Sequence, residues 1–131
     1  MRFFEILNDI FLKITDGRYR HIKASLDKNA PFRVVDSSGN EKTPDQLSTG
    51  TREQLYLAIR LGYLEHYGMK AESMPIIMDD VLVNFDDKRA ENTAQTLLDI
   101  AGNKQIIMMT CHKNIVEIFK SINKDIPILE L

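Results

Sequence analysis

The chain has 131 residues, 44% hydrophobic and 27% charged, which is the composition of about one soluble globular domain and excludes a disordered or fibrous chain. Its formal charge of -2 supplies no global attraction for nucleic acid or an anionic membrane, so either contact would need a local patch. No apolar stretch approaches the roughly 20 residues that span a bilayer, the opening residues lack the small-residue cleavage site of a secretory leader, and the single Cys111 cannot close an internal disulfide, so the expected compartment is the cytoplasm.

Leu7, Ile10, Phe11 and Ile14 recur at helical spacing, so residues 1–15 are expected to form an amphipathic helix that ends near Gly17. No N-cap precedes it, and such a start fits the end of a coiled coil leading into a domain over 16–131 and, equally, a natural start at Met1. Ile22, Ala24 and Leu26 then alternate with polar residues, and the segment 32–36 runs into Ser37-Ser38-Gly39-Asn40, the pattern of a small antiparallel β-meander. Arg18, Tyr19, Arg20, His21 and Lys23 look like a nucleic-acid patch, but a strand sends half of them to its other side, and a solvated strand is the preferred reading.

From residue 51 to about 67 a helix is expected, with Leu55, Ala58, Ile59 and Gly62 on one face and Leu57, Leu61 and Leu64 beside it, a band wide enough to imply deep burial. A strand over 74–78, a helix over 87–101, a strand over 105–110, a helix over 114–122 and a short strand over 126–129 complete the reading. That alternation predicts an α/β fold whose parallel strands are buried on both faces between helices.

Three segments carry the chemistry. Pro75-Ile76-Ile77-Met78 runs directly into Asp79-Asp80, and ligands of parallel sheets collect beyond the carboxyl ends of the strands. Asp79 is therefore a candidate to hold Mg²⁺, and Asp80 a candidate to orient or deprotonate an attacking water. Two turn aspartates after a buried strand account for the pair equally well. His112, after the strand and Thr110-Cys111, reaches the same sheet edge, where an imidazole can donate to a phosphate oxygen; taken alone, a loop histidine without a role is the plainer reading. If strand geometry persists to that point, Cys111 and His112 face opposite ways and form no nucleophile pair. In Leu47-Ser48-Thr49-Gly50-Thr51-Arg52-Glu53-Gln54, Ser48, Thr49 and Thr51 all suit an N-cap and Thr51 with Gln54 fits a capping box. A serine hydroxyl and a glycine N–H at a helix start also make an anion site.

Taken in order, these segments resemble the second half of an ABC-type nucleotide-binding domain. LSTGTREQ (47–54) is similar to the ABC signature, PIIMDD (75–80) to the Walker B strand, VNFDD (83–87) to the D-loop and TCH (110–112) to the switch-histidine loop. The set covers roughly residues 15–122, and its wording is most similar to YhaN-like ATPases, relatives of SbcC and of the SMC proteins. Asp16-Gly17-Arg18-Tyr19 is similar to the point where the coiled coil of those relatives re-enters the head.

The resemblance implies the C-terminal half of a P-loop ABC ATPase head. In it Asp80 and His112 would be catalytic, Asp79 would hold Mg²⁺ through water, and Asp86 would belong to the D-loop. Ser48, Thr49, Gly50 and Gln54 would reach the γ-phosphate of ATP bound to the opposite head. The implied partners are an N-terminal P-loop lobe, a second head in a homodimer, a phosphoesterase nuclease subunit and DNA, in repair or processing, with no membrane. Two departures stand out. Most ABC proteins carry Glu where Asp80 stands, and none of the 6 glycines begins G-x-x-x-x-G-K-[ST], while the Gln loop is absent too. Isolated, the chain is expected not to hydrolyse ATP. Two other readings compete: a self-contained Mg²⁺-dependent phosphohydrolase or nuclease using Asp79, Asp80, Asp86 and His112 as ligands, and a non-catalytic dimerisation module.

Overall fold

A computed structural model describes residues 3–68 and 74–131, in two units, Met1–Ser73 and Met74–Leu131. The first unit is organised by helix α1 (Phe3–Ile14), which buries Ile6, Leu7, Ile10, Phe11 and Ile14 along one stripe. Burial of each such side chain contributes about 1.5–3 kcal/mol. The last turn of α1 must find partners for its carbonyls: Thr15 Oγ1 donates to Phe11 O at 2.7 Å and Gly17 N–H to Leu12 O at 2.8 Å. Gly17 reaches its position at φ 77°, a left-handed conformation that glycine adopts without strain, so the helix stops where its sequence indicates.

Strands β1 (Tyr19–Ala24), β2 (Phe32–Asp36) and β3 (Glu41–Lys42) form the expected antiparallel meander in the order β1-β2-β3. Asn8 on α1 accepts from Ile22 N–H at 2.7 Å, which fixes helix to sheet. The β2–β3 turn is closed by Asp36, whose carboxylate accepts from the N–H groups of Asn40 and Ser38, each at 2.9 Å. The bond from Asn40 N–H, foremost, holds the Asp36 carboxyl below its usual range. In β1 the expected strict alternation fails, because the register slips between Tyr19 and His21; Arg20, His21 and Lys23 are all exposed, with Lys23 paired to Glu41 at 2.5 Å.

After a single 3-10 turn at Pro44–Gln46, helix α2 (Thr49–Gly68) packs on α1. It buries Leu55, Leu57, Ala58, Leu61 and Gly62, while Ile59 and Leu64 are only half-buried. A Cβ at Gly62 would meet the Cα, Cβ and Cδ1 of Leu7 at 3.4 Å, so glycine here lets the two helices approach closely.

The second unit is a βαβα segment: β4 (Ile76–Asp79), α3 (Asp87–Ala101), β5 (Ile106–Met109) and α4 (Lys113–Ile122). β4 and β5 pair in parallel with Ile77 opposite Ile107 and Asp79 opposite Met109. Leu82, Ala94 and Ile115 form the buried centre, and Met108, Ile118 and Phe119 pack against it.

Two expectations are corrected here. The strands are not buried on both faces: Ile76 and Met78 are buried, but Ile77, Ile107 and Met109 are 67%, 44% and 50% exposed. A parallel sheet needs cover on each side, and in this unit the helical core described above lies on one side only. Residues 126–131 form no strand; an apolar run becomes a strand only where a neighbouring edge supplies hydrogen bonds, and the only partners of β4 and β5 among the described residues are each other. No helix among the described residues is long and apolar enough to cross a membrane.

Candidate functional site at the ends of the parallel strands

β4 ends at Asp79 and β5 at Met109, and parallel pairing brings the residues that follow them to one edge. Asp80 N–H donates to Met109 O at 2.9 Å, which ties the two strand ends together. Asp80 adopts φ 50°, a left-handed backbone that aspartate tolerates better than most side chains. The turn so made directs its carboxylate across β5: Oδ2 lies 3.7 Å from Cys111 Sγ and 4.0 Å from His112 Nε2. The other oxygen, Oδ1, is buried and has no hydrogen-bond partner among the described residues. A carboxylate oxygen withdrawn from water costs free energy unless it is paired, so its position invites a polar ligand.

His112 stands immediately before α4, and its N–H bonds Thr110 Oγ1 at 3.1 Å. The strand ends at Met109, so the condition under which Cys111 and His112 would face opposite ways is not met, and their ligand atoms lie within 4.8 Å. Among the described residues, Asp80, Cys111 and His112 are the one group of three metal-capable side chains, with ligand atoms all within 4.8 Å of one another. Cys111 is the functional candidate that sequence reasoning set aside. The available signal was the polar Thr110, which breaks the apolar run and offers a hydroxyl to close a turn.

Asp79 is exposed at the strand end, a hard oxygen donor of the kind Mg²⁺ takes through water. Asp86 is committed locally: its carboxylate accepts from Arg89 N–H at 2.8 Å as N-cap of α3, and also pairs with the Arg89 guanidinium. The four ligands of the self-contained metallohydrolase reading, Asp79, Asp80, Asp86 and His112, are thus not assembled into one cluster.

In the first unit, α2 begins two residues earlier than expected, because Ser48 is the cap that forms: Thr51 N–H donates to Ser48 Oγ at 3.2 Å. Ser48 and Thr49 are exposed at this helix start and Gly50 is half-buried, at the positive end of a 20-residue helix. Gln54 requires a correction. It is fully buried and its Nε2 donates to Ile14 O at 3.0 Å, so it forms no capping box with Thr51 and does not face outward to a phosphate. Its place in the γ-phosphate set gives way to holding the end of α1 against α2.

The chain matches no protein-family model. Solved structures do share its fold. It aligns with a structure from work on ATP-driven dimerization and DNA-stimulated activation of SMC ATPases at TM-score 0.71 and 13% identity, over 88% of this chain and 71% of that one. The SMC head domain from Thermotoga maritima aligns at TM-score 0.67 and 20% identity, over 89% of this chain and 40% of that one. This is the fold of part of an SMC head. A further SMC head, from Pyrococcus furiosus and bound to the C-terminal domain of ScpA, aligns at TM-score 0.65 and 13% identity, over 88% of this chain and 29% of that one. In sequence the chain is similar to YhaN of Bacillus subtilis (strain 168), 33% identical over 121 residues. The match takes in 92% of this chain but spans only 12% of the length of YhaN.

Proposed function

We propose that this chain acts as the C-terminal lobe of a composite ATP-hydrolysing head. The observation that carries the reading is the convergence of Asp80 and His112 at the carboxyl ends of adjacent parallel strands, with Oδ2 and Nε2 4.0 Å apart. Nothing in the sequence offers a Gly-rich cradle with its lysine, so the triphosphate belongs on a P-loop lobe outside these residues, and the chain alone is inactive. Asp79 would hold Mg²⁺ through water, and the ion would supply neutralisation of the phosphate charge. Asp80 orients the attacking water and takes up its proton as a general base. His112 donates a hydrogen bond to the γ-phosphate and so reports its presence.

Ser48, Thr49 and Gly50 at the start of α2 reach the nucleotide of a second head, which makes two bound ATP molecules the link between two copies. ATP-driven dimerization of SMC ATPases, whose fold this chain shares, supports that step. We extend the reading to a cytoplasmic machine that processes DNA with a phosphoesterase nuclease partner, on the strength of the signature, acidic and histidine motifs in family order.

The test is Asp80→Asn in the chain combined with its P-loop lobe. Asparagine also tolerates the left-handed φ at this position, so the turn survives while the charge is lost. Hydrolysis should fall about 10²-fold or more, the effect of losing a general base, with ATP affinity little changed and ATP-bound dimers accumulating. Adding Ser48→Arg should abolish those dimers, with Ser48→Ala as the control for the lost helix cap. Normal turnover in Asp80→Asn would show that Asp80 is not the catalytic carboxylate, and dimers that persist in Ser48→Arg would reduce the signature segment to a helix cap.

A further inference from the structure

We propose that Asp80, Cys111 and His112 form a binding site for a thiophilic divalent cation of the zinc type. The three donors are one carboxylate oxygen, one thiol sulfur and one imidazole nitrogen, a mixed set that suits zinc and excludes magnesium, which takes oxygen ligands. Their spacing is close to what such an ion needs. Ligand bonds of about 2.0–2.3 Å in tetrahedral geometry put donor atoms about 3.3–3.8 Å apart. Here Cys111 Sγ and His112 Nε2 lie 3.7 Å and 4.0 Å from Asp80 Oδ2. All three ligand atoms lie within 4.8 Å of one another, and Cys111 is exposed.

Two of the three positions are tied down by local hydrogen bonds. Asp80 is held through its N–H to Met109 O, and His112 through its N–H to Thr110 Oγ1. Three protein ligands leave the fourth position of the tetrahedron to water or another ligand. Binding replaces the thiol S–H bond by a metal–sulfur bond and releases one proton to solvent.

This inference shares its atoms with the proposed ATPase chemistry and, for its consequence, rests on that reading: with the cation bound, Asp80 and His112 are not available to water or the γ-phosphate. The site itself is tested without nucleotide or a P-loop lobe, so its failure and that of the ATPase reading are separate results. The reduced 131-residue chain is titrated with Co²⁺. The expected result is one ion per chain, intense tetrahedral visible bands and a near-ultraviolet thiolate-to-cobalt charge-transfer band, all displaced by Zn²⁺. Cys111→Ser should lose the charge-transfer band, and His112→Gln should weaken binding by more than the roughly 10- to 100-fold that removal of an outer-sphere partner costs.

A second measurement needs no folded variant of the cysteine. Zn²⁺ should protect the single Cys111 of the wild-type chain from alkylation, read by mass spectrometry, and His112→Gln should remove that protection. Weak octahedral spectra, a charge-transfer band that survives Cys111→Ser, or alkylation that Zn²⁺ leaves unchanged would each overturn the site.

Discussion

The first unit closes its core around α1, where five apolar side chains are buried along one stripe, whereas the second leaves Ile77, Ile107 and Met109 exposed on one face of β4 and β5. The candidate acid and histidine stand on the open-faced unit. Stability and chemistry are thus divided. Helix-on-helix packing can be completed within one stretch of chain, while a parallel sheet needs cover on both faces and strands brought from elsewhere.

The contrast is broken most forcefully at Phe11, which is fully buried in the first unit. Phe11→Ala should destabilise that unit by about 3–5 kcal/mol through lost burial and the cavity left behind. Hydrogen exchange is the measurement: amides of α1 and α2 should lose protection. If they keep it, the core of the first unit is not the closed structure described here.

At Asp86 the second unit is probed through a helix cap instead of a core. Asp86→Ala should cost about 1 kcal/mol, the usual loss for an N-cap, with faster exchange in the first turn of α3. Asp86→Asn should restore the stability, since asparagine caps as well as aspartate. If Asp86→Asn is as damaging as Asp86→Ala, the pairing with Arg89 and not the cap carries the effect.

Much of this was legible in the sequence where information is local. Ala90, Ala94 and Leu97 mark one face of α3, and its expected span of 87–101 is the span it adopts. Asp79, Asp80 and His112 were located at one sheet edge because two apolar runs ending in polar residues, joined through a helix, can lie in parallel. What failed was tertiary. Ile77 and Ile107 read as core because an apolar run does not reveal which of its faces is covered. Gln54 read as a cap or ligand because nothing local reveals that the carbonyl of Ile14, forty positions away in sequence, turns to it. Cys111 was set aside because strand alternation was carried two residues beyond Met109, where the strand ends.

The smallest stability effect is expected on the bare face, and it separates exposure from function. Ile77→Thr with Ile107→Thr keeps the β-branched shape that suits a strand and removes apolar surface that is 67% and 44% exposed. Because little burial is lost, stability should change by within about 0.5 kcal/mol. The isolated chain is expected to self-associate through this face and the unpaired strand edges, so the double variant should sediment as a smaller species at matched concentration. When a P-loop lobe is supplied, weaker binding of the same variant would identify that lobe as the cover this face needs. A loss of well over 1 kcal/mol in the isolated chain would mean that the face is already covered, and unchanged sedimentation would remove the apolar face as the cause of association.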